Sequence, residues 1–269
     1  MISFSILLPI YKNNKILEIV NCLNSIIKQT LLPNEIVIVY DGYVSSGIKS
    51  IVNNKLFYFN KKIIQNPSNI GLGPTLNKGI LNCSYDFIIR VDADDVNKHS
   101  RFYELIKAAL KNKKADVIGS FVLEKNNNDS YIKKVPYLKR DIENSILFRN
   151  PLNHNTVLIK KKSIIKFGNY PDMMFFEDYY LWFKIIKNRG VIMNIAKALV
   201  YTNQDKGYFK RRGGYIYLKF FLNFLNVIYN KKFINKRIYL FFILVRVPII
   251  ILPISFKILL YNKFLRKKN

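Results

Sequence analysis

The sequence predicts an α/β protein with a mostly parallel central sheet, helices on both faces and a basic helical extension at the C-terminus. Three observations predict it. Short apolar runs of strand length alternate with segments of helical periodicity through the first half of the chain. Stretches containing aspartate or glycine fall where the strands end, which is where ligands bind in such sheets. Half of the 269 residues are hydrophobic, enough for a sizeable core and too many for a disordered chain.

The N-terminal "SFSILLPIY" reads as a buried strand, without the basic start or small-residue cleavage site of a secretion signal. Between Lys15 and Gln29, the residues Ile16, Leu17, Ile19, Val20, Leu23, Ile26 and Ile27 recur on one helical stripe. "EIVIVYDG" is a second strand ending at Asp41-Gly42, and "LFYFNKKIIQ" a third. "NPSNIGLGPTLNKGI" turns into a helix near Pro74, since proline suits a first helical turn. "DFIIRVDADD" is a fourth strand, followed by a helix from Arg101 to Lys111. Beyond Asp116 the alternation loosens. "DVIGSFVLE" and "YIKKVPY" read as strands joined by the polar turn "KNNND", and "NTVLIKK" as another. Glu177 to Asn188 reads as a helix, "ALVYTN" as a last strand, and helical segments follow. The expected division is a domain of residues 1–215 and a basic, apolar tail of residues 216–269.

The formal net charge is +27, and fifteen basic residues follow Asp205 with no acid among them. Such a tail suits an anionic membrane surface or a nucleic acid. Its composition favours lipid, because Arg246 lies between "IYLFFILV" and "VPIIILPISF" and no nucleic-acid motif or aromatic stacking platform is present. The apolar run Val247 to Phe256 is ten residues long, against the roughly 20 needed to span a bilayer. It therefore reads as a segment lying in the membrane interface, with a helix packed on the domain as the alternative. Cys22 and Cys83 sit in apolar patterns without metal-ligand spacing and read as buried, reduced thiols that fit a reducing compartment.

Against this basic background, Asp92, Asp94 and Asp95 fall within four positions. In an extended segment, side chains two apart point the same way, so Asp92 and Asp94 converge. Carboxylates so placed repel one another unless a cation sits between them. Hard oxygen ligands suit Mg²⁺ or Mn²⁺, which keep positions open for water and phosphate oxygens. The alternative is a solvated loop in which Asp95 caps the next helix. Asp41, at a strand end, can accept a hydrogen bond from a base or ribose, or belong to an ordinary Asp-Gly turn. Gly71, Gly73 and Gly79 surround a helix start whose N–H groups can approach phosphate. Their spacing is neither a Walker loop nor G-x-G-x-x-G, and a tight turn explains them equally well. Glu177 and Asp178 either complement a helix dipole or present a general base. His154, one of two histidines, precedes a strand, where a lone histidine is usually structural. Arg211 and Arg212 either clamp a diphosphate or meet solvent.

Taken in order, "SILLPIYKNN", "EIVIVYDG", "NIGLGPTLNKGI", "IIRVDADD", "NHNTVLIKK", "FGNY" and "FFEDYYLWFKIIKNRG" resemble family 2 glycosyltransferases of the GT-A fold. The resemblance covers roughly residues 2–215, and "YTNQDKGYFKRRGG" resembles enzymes that build bacterial capsular and exopolysaccharides. It implies transfer of a sugar from a nucleotide diphosphate sugar, expected to be a UDP-sugar, to an acceptor hydroxyl with inversion. It implies that Pro9, Tyr11 and Asp41 line the nucleoside pocket and that Asn69, Gly71 and Lys78 border the base and diphosphate. Asp92 and Asp94 match the family's Asp-X-Asp, with Ala93 against the donor and Asp95 a further ligand for Mn²⁺ or Mg²⁺. Asp178, paired with Glu177, would deprotonate the acceptor, while His154, Arg211 and Arg212 would face the acceptor or diphosphate. Two departures stand out. "YDGY" replaces the two acids and serine of many members, and Leu76 stands where many carry an arginine. The "QxxRW" signature of processive members is absent, which implies one sugar added per encounter. The expected acceptor is a polyprenyl-diphosphate-linked glycan at the cytoplasmic face of the bacterial inner membrane. The basic tail would rest on the anionic leaflet, with no nucleic-acid partner. A sugar nucleotidyltransferase of related fold, lacking here its basic Gly-rich N-terminal signature, and a non-catalytic scaffold are the competing readings.

Overall fold

The computed structural model describes residues 2–126, 129–203, 213–253 and 255–257. The chain begins with β1 (Phe4–Tyr11), α1 (Ile16–Ile27), β2 (Glu35–Asp41), α2 (Ser46–Lys55), β3 (Lys61–Gln65), α3 (Leu72–Asn82) and β4 (Phe87–Arg90). It continues through β5 (Val96–Asn97), α4 (Arg101–Lys111), β6 (Val117–Asn126), β7 (Asp129–Lys133), α5 (Lys139–Ser145), β8 (Leu158–Lys160) and α6 (Lys161–Lys166). The last elements are α7 (Glu177–Lys187), β9 (Ile192–Asn203), α8 (Gly214–Asn230) and α9 (Lys236–Ile251). One sheet carries the order β3-β2-β1-β4-β8-β6-β9-β5, with β7 beside β6. The run β3-β2-β1-β4 is parallel, as is the β6–β9 pair. β8, β5 and β7 join antiparallel, so pairing turns mixed where the sequence alternation loosens.

Alternation along β1 and β2 divides the interior into two cores. Phe4, Ile6, Leu8 and Ile10 face one side, against Leu23 and Ile26 of α1 and Phe102 of α4. Leu7, Val37 and Val39 face the other, against Leu76 and Ile80 of α3 and the aromatic side chains of α7. The parallel strand ends thereby lie between two helical layers.

Three local expectations are corrected. "LFYFN" is not strand: α2, capped by Ser45 Oγ accepting from the Ile48 N–H, consumes the chain to Lys55, and only Lys61–Gln65 pairs with β2. "NTVLIKK" divides into a 3₁₀ turn at His154–Thr156, the short β8 and the start of α6. The helix expected near Pro74 already begins at Leu72, with Pro74 in its first turn, where its missing N–H costs nothing.

At the opposite end of the strands, buried Glu35 ties four segments together. Its carboxylate accepts from Ser5 Oγ (2.7 Å), the Ser84 N–H and Oγ (both 2.8 Å) and Lys62 Nζ (2.9 Å). Burial pushes this carboxyl up, but those donors outweigh it and hold it at about 2 against an ordinary 4.5. A depressed carboxylate stabilises the fold above its unfolded pKa and loses that contribution as pH falls through the folded value. Glu35→Gln is therefore expected to cost about 2 kcal/mol at neutral pH, after discounting for the half-exposed Lys62 arm. It should also flatten the fall in melting temperature between about pH 4.5 and 2. An unchanged acid limb in a thermal melt series would count against it.

α8 and α9 fall in the segment expected as a tail. Phe224 of α8 stacks on Phe176 and Tyr179 at centroid distances of 4.9 and 5.0 Å, and Phe221 meets Phe242 of α9 at 6.1 Å. One face of each helix thus joins the core that holds α7. Another face of α9 leaves Leu240, Phe241, Leu244, Val245 and Ile249 exposed at helical spacing. Among the described residues, no helix is long and apolar enough to cross a membrane.

Candidate active site

β1, β2 and β4 end side by side, and each delivers part of the site. Tyr11 closes β1 with its ring partly exposed, two residues after half-buried Pro9. Asp41 closes β2. Its Oδ1 accepts from the Ile70 N–H (2.9 Å) and Asn66 Nδ2 (3.0 Å), and its Oδ2 from the Gly71 N–H (3.2 Å). Two N–H groups of the glycine turn are therefore held by Asp41. Exposed Asn69 reaches back to the Asp41 carbonyl at 3.5 Å. Gly42 and Gly71 take φ of +78° and +89°, and a Cβ on Gly42 would stand 2.7 Å from the Asn69 nitrogen, so these two turns nest only because glycine is present. Lys78 is fixed by Asn66, its Nζ donating to Oδ1 at 2.9 Å. Asn66, fully buried, thereby links Asp41 to Lys78.

β4 ends at Arg90 and the acid cluster follows. The three carboxylates converge, with ligand oxygens of Asp92, Asp94 and Asp95 all within 4.8 Å of one another. The cause differs from the extended segment expected from sequence: the Asp95 N–H bonds the Asp92 carbonyl at 3.2 Å, folding a turn with Ala93 buried inside it. Nor does Asp95 cap α4. It is buried and accepts from Asn155 Nδ2 at 2.5 Å. Burial and the neighbouring carboxylates push Asp94 up and Asp95 up to about 7. The donor set is hard oxygen with surplus negative charge, which fits Mg²⁺ or Mn²⁺.

Two buried arginines lie beneath the acids. Arg90 Nη2 stands 2.9 Å from Asp92 Oδ1 and 3.0 Å from Oδ2. Burial alone would lower its pKa, but the charges of Asp92, Asp178 and Glu177 outweigh it and hold the guanidinium charged. Arg101, fully buried, donates to the carbonyls of Arg90 (2.7 Å) and Asn155 (3.0 Å) and to Asn97 Oδ1. Neither arginine stands out by residue type, although a basic residue inside an apolar strand beside an acid cluster is a visible signal for Arg90.

Glu177 and Asp178 open α7. Gly73 lets α3 approach, since a Cβ there would meet the Pro171 carbonyl at 2.6 Å and Glu177 Cβ at 3.4 Å. Asn77 of α3 clasps Tyr170, donating to its carbonyl and accepting from its N–H at 2.8 and 2.9 Å. The Tyr170 hydroxyl lies 3.0 Å from His154 Nε2, and His154 Nδ1 lies 3.6 Å from Asp178 Oδ2. Burial, with Arg90 nearby, holds His154 well below its ordinary pKa, so the ring is neutral. Asp178 Oδ2 accepts from Asn150 Nδ2 at 2.6 Å and Oδ1 from the Tyr179 N–H at 2.7 Å. His154 thus joins the base. Asn66, Asn77, Asn150 and Asn155, which hold these groups, were missed in an asparagine-rich sequence. Arg211 and Arg212 lie outside the described residues.

The arrangement is that of a GT-A fold. S. aureus TarS 1-349 in complex with UDP-GlcNAc shares it at a TM-score of 0.61 and 23% identity, over 76% of this chain and 59% of that one. The chain belongs to glycosyl transferase family 2, whose model matches residues 5–182, and is accordingly a glycosyltransferase. It is 35% identical to the UDP-Gal:alpha-D-GlcNAc-diphosphoundecaprenol beta-1,3-galactosyltransferase of Escherichia coli, over 98% of this chain and 97% of that one. It is 30% identical to the amylovoran biosynthesis glycosyltransferase AmsE of Erwinia amylovora, over 80% and 82%.

Proposed function

We propose that the protein is an inverting, metal-dependent glycosyltransferase. It moves a sugar from a UDP-sugar to a hydroxyl of a polyprenyl-diphosphate-linked glycan in surface polysaccharide synthesis. The observation that carries this reading is the acid cluster, paired through Asp92 with buried Arg90, whose guanidinium Asp178 and Glu177 also help to hold charged. A single displacement needs a base at the acceptor oxygen and positive charge at the leaving diphosphate. Asp92, Asp94 and Asp95 would hold Mn²⁺ or Mg²⁺, which when bound offsets the charge of the leaving group. Asp178 takes the acceptor proton, steadied by Asn150 and flanked by neutral His154. The Asp41–Asn66–Lys78 chain sets the glycine turn against the nucleotide. The Escherichia coli relative, named for a UDP-sugar donor and a diphospholipid acceptor, supports this choice of substrates.

The test is a panel of UDP-sugars with a synthetic alkyl diphosphate carrying N-acetylglucosamine. Release of UDP with a lengthened glycan is expected, lost in chelator and restored by Mn²⁺. Formation of a UDP-sugar from UTP and a sugar phosphate would instead identify a nucleotidyltransferase.

The exposed stripe of α9, in a basic segment, is proposed to rest on the anionic cytoplasmic leaflet. The protein is expected to sediment with phosphatidylglycerol liposomes, and Leu244→Glu to reduce the bound fraction severalfold. Equal sedimentation of the variant, or none by either protein, would remove the membrane surface from the reading.

A further inference from the structure

A cleft of about 530 Å³ opens beside the segment that steadies the base, and Lys134, Tyr137, Phe148 and Arg149 are among its walls. That is room for a small-molecule group rather than a single ion. Two observations tie it to the neighbouring surfaces. Arg149 directly precedes Asn150, the residue that donates to Asp178. From the other side, α9 reaches the same wall: Arg246 Nη2 donates to the Phe148 carbonyl at 2.8 Å, and Phe241 meets the Phe148 ring edge-on at 5.3 Å.

From Asp178 the contacts thus run through Asn150 to the basic cleft at Arg149, and on through Phe148 to the apolar stripe of α9. We propose that the cleft seats the diphosphate of the acceptor, with the acceptor sugar reaching Asp178 and the hydrocarbon chain leaving along α9. This rests on the acceptor class proposed above. Such an acceptor is itself a linear series of hydroxyl, dianion and hydrocarbon, and the three surfaces match it part by part. Arginine binds phosphate oxygens through paired N–H donors, and Lys134 adds a second charge to the cleft wall. Asp141, also on the wall, leaves the cleft net positive. The rings of Tyr137 and Phe148 are exposed and available to an apolar or sugar face.

The experiment uses the full chain and two acceptors of equal alkyl length. One is an alkyl diphosphate α-linked to N-acetylglucosamine, the other the simple alkyl glycoside. Arg149 is exposed, and among the described residues its Nε bonds the nearby Ser145 Oγ at 3.3 Å. Arg149→Ala is expected to lower the kcat/KM preference for the diphosphate acceptor about tenfold, and Arg149→Glu further. The readout is a ratio, so a partly misfolded variant lowers both rates and leaves it unmoved. A wild-type preference that survives in both variants overturns the cleft alone. No preference in the wild type overturns the acceptor class and this inference with it.

Discussion

Asp178→Asn is expected to lower kcat by about 10³-fold while UDP-sugar binding and the melting temperature stay near wild type. The substitution keeps the shape of the side chain, and its amide oxygen can still accept from the Tyr179 N–H. What it removes is the capacity to take a proton. No neighbour restores that capacity cheaply. His154 is held neutral well below its ordinary pKa, which makes it a weak base, and its Nε2 is occupied by the Tyr170 hydroxyl at 3.0 Å. Asn150, whose amide donates to Asp178 at 2.6 Å, must rotate to suit the new amide. A modest rise in acceptor KM is therefore expected beside the large fall in kcat. Single-turnover transfer with saturating donor measures the chemical step directly. More than a tenth of wild-type activity would move the base elsewhere, with Glu177 the first alternative.

Much of this site was legible because two kinds of pattern are local. The strand and helix periods of β1, α1, β2 and α4 lie within single segments, and so do the acids of "DADD" and "FFEDYY". What stayed hidden is the wiring between segments. Asn77 and Tyr170 are 93 residues apart, and Asn155 and Asp95 are 60 apart. No spacing rule links such positions, and in a chain rich in asparagine the residue type carries no signal. The convergence of Asp92 and Asp94 was anticipated from strand alternation, yet a turn closed by the Asp95 N–H produces it. The buried arginines were obscured for another reason. Composition places Arg on surfaces; the position of Arg90 inside an apolar strand speaks against that locally, whereas only the fold brings Arg101 onto the Arg90 carbonyl beneath the acids. The tail was ambiguous because α9 is apolar around most of its circumference. That suits both a packed face and an exposed one, and the structure has both.

Asp94→Asn is expected to separate stability from function by moving them in opposite directions. Asp94 is the exposed member of the cluster, while Asp92 is held by Arg90 and Asp95 by Asn155. Its loss therefore breaks no structural contact of the other two. It removes one of three acids whose oxygens lie within 4.8 Å, and with it part of the repulsion that pushes Asp95 up. In metal-free protein the melting temperature should hold or rise by a degree or two, since less repulsion is stored in the fold (on the order of 0.5 kcal/mol). Transfer should fall by about 10²-fold or more, because a missing carboxylate weakens the cation that faces the leaving diphosphate. The stabilisation that Mn²⁺ gives the wild type in a thermal melt should shrink in the same variant. A residue kept for structure would show the reverse, a lower melting temperature with activity lost only in proportion to the unfolded fraction. If Asp94→Asn retains near-full transfer and an undiminished Mn²⁺ shift, the cluster is a solvated turn. The reading would then have to find its cation in Arg90, whose Nε and Nη1 have no hydrogen-bond partner among the described residues.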